Sequence, residues 1–210
     1  MASLSFIPRA IRHLQRADPV LRRIIERVGP CRFARERNQF GSLVEAIIYQ
    51  QLALKVAETI SRRFQQIYAT PSGQGGGRLP RPSELLQTPR RKLRAAGLSR
   101  QKISYLRDLA HKAADGKLKL GKFGRMSDEE VIENVTQVKG IGPWTAEMFL
   151  IFSLGRPDVL PVDDLGLRYA IKQAYGLRGL PSPAKMQKLA ERWRPYRTVA
   201  TWYLWKSRRV

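Results

Sequence analysis

Apolar residues recur at steps of three and four along almost the whole chain, and the alternation that marks a strand is nearly absent. Leu43, Ile47, Ile48 and Leu52 form one stripe, with Ser42 placed to cap it, and Val56, Ile60 and Phe64 extend it. Leu98, Ile103, Leu106, Leu109 and Ala110 form another. Ser127-Asp128-Glu129-Glu130 puts a hydroxyl three residues before a glutamate, the pattern of a capping box, ahead of Val131 and Ile132. Further helices are expected over 144–154, 164–175, 184–193 and 196–207. Phe6, Ile7, Ile11 and Leu14, interleaved with Arg9, Arg12 and Arg16, predict an amphipathic first helix. The pattern as a whole predicts an all-α protein with short loops.

One stretch breaks it. Thr70 to Pro82 carries Gly73, Gly75, Gly76 and Gly77 with three prolines and is expected to be a flexible loop at about 70–82. Both flanks are equally helical and basic. Residues 1–210 therefore read as a single domain of two interleaved helical lobes.

Charge changes the picture more than size does. The 210 residues hold 39 Lys and Arg against 17 Asp and Glu, a formal charge of +22 that is not confined to one tail. Such a field concentrates polyanions, so nucleic acid is the expected partner. Hydrophobic residues make up 43%, enough for a sizeable core. The single cysteine, Cys31, excludes an intrachain disulfide, a four-cysteine iron–sulfur cluster and a zinc knuckle. His13 and His111 are too few for a metal cage. The longest apolar run, Phe149 to Leu154, is too short to span a bilayer. No membrane partner is expected, and a reducing compartment fits: cytoplasmic, nucleoid-associated in a bacterium or nuclear in a eukaryote.

The chemistry concentrates in Val138-Lys139-Gly140-Ile141-Gly142-Pro143-Trp144-Thr145-Ala146. Glycines accept backbone angles that other residues resist, and they let a phosphate approach the N–H groups that open the next helix. Pro143 suits a first helical position. Lys139, Gly140, Gly142 and Thr145 are the candidate phosphate contacts. An ordinary tight helix–helix turn is the competing reading of the same glycines. Further on, Leu160-Pro161-Val162-Asp163-Asp164-Leu165-Gly166-Leu167 presents two adjacent carboxylates at the start of a helix. Capping is the commoner role for such aspartates. A carboxylate fixed beside a reacting centre can also stabilise developing positive charge.

Together these residues resemble the helix–hairpin–helix (HhH-GPD) DNA glycosylase superfamily, from about Phe40 to Trp205. They are most similar to its 3-methyladenine DNA glycosylase II group, in a compact form without the additional N-terminal β domain. Leu43-Val44-Glu45-Ala46-Ile47-Ile48-Tyr49-Gln50-Gln51-Leu52 echoes the helix before that group's DNA wedge. Ala190-Glu191-Arg192-Trp193-Arg194-Pro195-Tyr196-Arg197, then Trp205, echoes its C-terminal helix.

The resemblance implies a two-lobed all-α fold with the active-site cleft between the lobes. It implies a monofunctional glycosylase that hydrolyses the N-glycosidic bond of alkylated purines, 3-methyladenine and 7-methylguanine, in duplex DNA and so initiates base excision repair. The implied catalytic residue is Asp164, with Asp163 as the alternative. Relatives that also cut the strand carry a lysine where Trp144 stands, so no lyase activity is implied. Trp144 and Trp205 match pocket positions, and Tyr49 and Trp202 are added as candidates, all four with core packing as the competing role. Leu52 matches a wedge that fills the hole left by an everted base, with Gln50 or Gln51 beside it.

No cofactor is implied for catalysis. The main-chain carbonyls of Thr136, Val138 and Ile141 are implied ligands of a structural Na+ or K+ at the hairpin. Arg78, Arg81, Arg90, Arg91, Lys92, Arg94, Arg100 and Lys102, set against only Glu84, are expected to supply salt-sensitive affinity for DNA. The protein is expected to act as a monomer. Two alternatives stand beside this reading: a non-catalytic helix–hairpin–helix DNA-binding protein, and a mismatch-specific glycosylase, against which the missing cluster cysteines count.

Overall fold

The computed structural model describes residues 4–69 and 77–208. Most of the expected loop, residues 70–76, lies outside them; residues 77–81 have no regular structure, and Pro82 opens a helix. In chain order the α-helices are α1 (Ile7–Ala17), α2 (Pro19–Val28), α3 (Gln39–Tyr49), α4 (Leu54–Gln66), α5 (Pro82–Gln87), α6 (Arg90–Ala95), α7 (Arg100–Ala114), α8 (Asp128–Thr136), α9 (Pro143–Phe149), α10 (Leu165–Ala174), α11 (Pro183–Ala190) and α12 (Arg197–Ser207). Among the described residues there is no β-strand. The chain divides into two compact units. A terminal unit comprises Met1–Glu36 with Leu150–Val210, and a hairpin unit comprises Arg37–Phe149.

In the hairpin unit α3 is the central element. Phe40, Leu43, Val44, Ile47 and Ile48 are buried on it, which leaves it no solvated stripe, and it packs on α4, α7 and α9. Its cap is not Ser42. Asn38 Oδ1 accepts the Gly41 N–H at 2.9 Å, while the Ser42 hydroxyl donates to the Asn38 carbonyl at 3.0 Å. The helix also ends sooner than the stripe suggests. Gln51 takes φ 54°, so Leu52 falls in the turn before α4 rather than on α3. A left-handed residue ends helical hydrogen bonding whatever the apolar spacing beyond it. The box at Ser127 forms as expected: Ser127 Oγ accepts the Glu130 N–H at 3.2 Å, and Glu130 Oε2 accepts the Ser127 N–H at 2.7 Å.

In the terminal unit α12 is buried almost all round, from Thr198 to Leu204, and packs on α1, α2 and α10. Asp18, fully buried, ties this unit together. Its carboxylate accepts the Val20 and Leu21 N–H groups, the Tyr175 hydroxyl at 2.6 Å and the Trp193 indole at 2.9 Å. A buried carboxylate is tolerable only when so satisfied.

Two regions differ in detail from the periodicity. The helix expected over 144–154 starts at Pro143 and passes into a π-helical turn at Leu150–Leu154. The one expected over 184–193 ends at Ala190 and tightens into a 3₁₀ turn. The six-residue α5 and α6 carry too few turns to show a period at all.

Candidate active site

Within the hairpin unit, Val138 and Ile141 are buried and anchor the turn between α8 and α9, and the Ile141 N–H reaches the Val138 carbonyl at 3.1 Å. Gly140 has φ 80°, and a Cβ there would overlap the Tyr105 ring. Both facts require glycine. Gly142, by contrast, faces open space at the N-terminus of α9. Lys139 is exposed, and its own N–H is held by Asp108 Oδ2 at 2.8 Å. Thr145 is only 7% exposed. The exposed residues of the turn are therefore Lys139, Gly140 and Gly142, with Thr145 buried behind them.

A groove of about 820 Å³ runs beside this turn. Its lining brings together Tyr49, Gln50, Gln51, Leu52, Gly140, Trp144 and Thr145, all singled out from the sequence, and adds Lys102, Tyr105 and Met148. Trp144 is 45% exposed and Leu52 36% exposed, so neither large apolar side chain is spent on the core. Burial, then Glu45 and Glu58, push the Tyr49 phenol up from its usual value, so it stays neutral. Gln50 does not face solvent freely. Its Nε2 donates to the Gly140 carbonyl at 2.8 Å, whereas Gln51 is exposed.

In the terminal unit, residues Pro157 and Val159 lead towards the two aspartates. They are fastened to α12: the Thr198 N–H reaches the Pro157 carbonyl at 3.0 Å, and the Val159 N–H reaches Thr198 Oγ1 at 3.0 Å. Between them Asp158 pairs with Arg197 at 2.8 Å and Arg194 at 2.9 Å. Asp163 is exposed, and Asp164 is half-buried. Asp164 is the N-cap of α10, its Oδ1 accepting the Leu167 N–H. The same oxygen accepts the Trp205 indole N–H at 2.9 Å. One side chain thus caps α10 and holds the Trp205 indole. Both donors are main-chain or ring groups that cannot move far, which fixes the carboxylate in orientation.

Aromatic rings surround that pair. Phe152 stacks on Trp205 with centroids 5.9 Å apart and an interplanar angle of 17°. Trp202, 8% exposed, stands edge-on to Tyr203 at 5.0 Å, with Lys206 Nζ 5.5 Å from its ring centroid. Phe152, Trp202, Trp205, Lys206 and Arg208 line a cavity of about 490 Å³.

Gly166 has no side chain beside Asp164. A Cβ there would lie 3.1 Å from Asp164 Oδ1 and 3.5 Å from an Arg208 nitrogen. Sequence reasoning gave no role to Gly166, Phe152, Arg208 and Met148, and it placed Lys102 in a general basic surface rather than in the groove. A glycine two residues after the second aspartate was a readable signal for the first of these.

Residues 44–195 match the HhH-GPD superfamily of base excision DNA repair proteins. The chain belongs to that superfamily. DNA-3-methyladenine glycosylase 1 of Schizosaccharomyces pombe is 37% identical over 202 residues, covering 94% of this chain and 86% of the relative. A solved structure of the 3-methyladenine DNA glycosylase of that yeast, in complex with abasic DNA, superposes with a TM-score of 0.83 and covers 96% of this chain and 97% of the other. A DNA-3-methyladenine glycosidase from Bacillus halodurans has the same TM-score at 37% identity, covering 99% of this chain and 92% of its own. The HhH-GPD membership and these structures establish the helical fold expected from periodicity. Among the described residues, no helix is long and apolar enough to cross a membrane.

Proposed function

We propose that this HhH-GPD protein is a monofunctional DNA glycosylase that hydrolyses the N-glycosidic bond of alkylated purines, 3-methyladenine and 7-methylguanine first, in duplex DNA. One observation carries the reading: the half-buried Asp164 carboxylate, aimed by the Trp205 indole and the Leu167 N–H, sits next to stacked aromatic rings. Cleavage breaks the bond between C1′ and the base nitrogen, and the bond's electron pair leaves with the base. The cationic sugar that develops is stabilised by Asp164, which also orients the water that adds to C1′ and gives up a proton. Alkylation at a ring nitrogen makes the purine cationic and a good leaving group. Aromatic faces hold such a base by cation–π attraction worth about 0.5–2 kcal/mol each.

The other groups have consistent roles. Trp144 offers no amine for a Schiff base, so the product is an intact abasic site. Leu52 and Gln51, both exposed, serve as the wedge and the reader of the unpaired base, and Lys139, Gly140 and Gly142 receive a phosphate. Asp163, exposed and without the two donors that Asp164 has, is the weaker catalytic candidate.

The family's hairpin cation fits the donor set. Neutral carbonyl oxygens of Thr136, Val138 and Ile141 suit a hard monovalent ion, whereas no His, Cys, Asp or Glu group suited to a metal occurs among the described residues. Such an ion, if held there, would supply positive charge for binding a phosphate.

Chromatography of bases released from methylated duplex DNA tests the activity. Release of 3-methyladenine and 7-methylguanine, with no covalent complex on borohydride treatment, is expected. DNA binding without any released base would leave a non-catalytic hairpin protein instead, and a borohydride-trapped adduct would contradict the monofunctional reading.

A further inference from the structure

Lys102 is placed by sequence among eight basic residues with a general affinity for DNA, yet its half-buried ammonium is taken up by hydrogen bonds within the protein. Its Nζ donates to the Ile48 carbonyl at 2.6 Å and to the Gln50 carbonyl at 2.8 Å. These are carbonyls at the C-terminal end of α3, where the chain stops donating to itself and the helix dipole is negative. One residue later Gln51 turns to φ 54°, and Leu52 follows. Gln50 passes the connection on, its side-chain amide reaching the Gly140 carbonyl at 2.8 Å. Lys102 comes from the first turn of α7, whose N-cap is Ser99, accepting the Lys102 N–H at 3.1 Å.

Three parts of the hairpin unit are therefore joined by three hydrogen bonds, the start of α7, the end of α3 and the glycine turn before α9, and the Gln51–Leu52 turn follows directly on the second of them. A lysine bound for solvent has no reason to place both bonds on carbonyls of one helix end. Burial alone depresses its ammonium's pKa from the usual value, a cost met by the two charge-assisted bonds.

We infer that Lys102 is a positioning residue for base eversion, holding the Gln51–Leu52 turn in fixed register with the Gly140 turn through Gln50. It touches neither the scissile bond nor the base. It keeps the distance between the side chain that fills the duplex and the backbone that holds the phosphate, so that insertion of one follows from seating the other. The inference rests on the wedge role given to Leu52 above. A loose turn would still allow DNA binding and still leave Asp164 competent. The loss would fall on extracting a stacked, paired base.

The test compares wild type, Lys102→Met and Lys102→Arg in single-turnover release of 7-methylguanine from two duplexes. One is fully paired, and the other has an abasic site opposite the lesion, where less stacking and pairing must be overcome. Lys102→Met should lose about tenfold or more on the paired duplex and less than threefold on the one with the opposing gap. Lys102→Arg should recover much of the loss. The melting temperature of each variant is recorded alongside.

Equal losses on both duplexes, or a loss that simply follows a fall in melting temperature, would overturn the positioning role. So would an unaltered Lys102→Met enzyme. Leu52→Ala on the same pair of duplexes separates the two claims. If it loses nothing on either, the wedge reading has failed; if it shows the selective loss and Lys102→Met does not, only the lysine's role has failed.

Discussion

At Asp164 a single oxygen receives two hydrogen bonds, one from the backbone of its own helix and one from a tryptophan on α12. The two donors can be separated by substitution. Trp205→Phe keeps a ring to stack on Phe152 but deletes the indole N–H. It should lower the single-turnover rate by about tenfold or more while leaving DNA affinity within about twofold. A rate unchanged in Trp205→Phe would mean that the indole contributes only packing.

Gly166→Ala tests the same place from the other side. Its methyl would lie 3.1 Å from the carboxylate oxygen, a distance that requires one of the two to give. Excision should fall more than melting temperature does, and a wild-type rate would show that the neighbours yield freely. The sequence marked the aspartate pair because carboxylates at a helix start, downstream of the glycine turn, are a local pattern, and the family resemblance then pointed to Asp164. It did not set Lys102 apart from its basic neighbours, because nothing in a run of basic residues shows which one bonds to backbone carbonyls. Nor did it mark Asp18, whose partners Tyr175 and Trp193 lie far along the chain.

The helices themselves were legible where they are long and one-sided, as at α7 and α8. Their ends were less so. Leu52 continues the apolar spacing of α3, but spacing carries no information about φ, and Gln51 ends the helix by its backbone conformation. Elements are also where most of the stability is lodged. Asp18 holds α2, α10 and the turn after α11 in one buried knot. Asp18→Ala leaves a buried indole N–H, a phenol and two main-chain N–H groups short of their acceptor, and should cost about 3 kcal/mol or more in denaturant unfolding.

The knot also has a pH signature. Burial, then the Asp18 carboxylate, raise the Tyr175 phenol's pKa well above its usual value, and burial pushes the Tyr203 phenol up to about 12. Raised folded-state values mean that the unfolded chain ionises first. The contribution to stability is whole below about pH 10 and is lost as pH rises beyond it. Tyr175→Phe should flatten that decline in stability measured between pH 9 and 11, although it lowers stability at neutral pH. A decline parallel to wild type would show that Tyr175 does not carry it.

Across the whole molecule the charge of +22 sets how the protein meets DNA. Not all of that charge is available. Lys102 is committed to carbonyls, Arg197 to Asp158, and Arg78 to Glu84, whose carboxyl is lowered to about 2 chiefly by that guanidinium and by the Arg81 N–H. Arg90, Arg91 and Lys92, at the start of α6, are exposed. Neutralising these three should reduce the slope of log affinity against log salt by up to about 3 and leave single-turnover release at saturating protein near wild type. An unchanged slope would assign them to solubility alone. Net charge was fully legible in the sequence, but its division into free and paired groups needed the fold.

The account as a whole depends on Asp164 acting on C1′ of an alkylated nucleotide. The direct measurement is single-turnover release of 7-methylguanine from a duplex by wild type, Asp164→Asn and Asp163→Asn, with melting temperatures taken on the same samples. Asparagine caps a helix about as well as aspartate, so Asp164→Asn should keep the fold and bind DNA. Its rate should nonetheless fall by about a hundredfold or more, while Asp163→Asn stays within a few-fold of wild type. Full release by Asp164→Asn, or loss confined to Asp163→Asn, would contradict it.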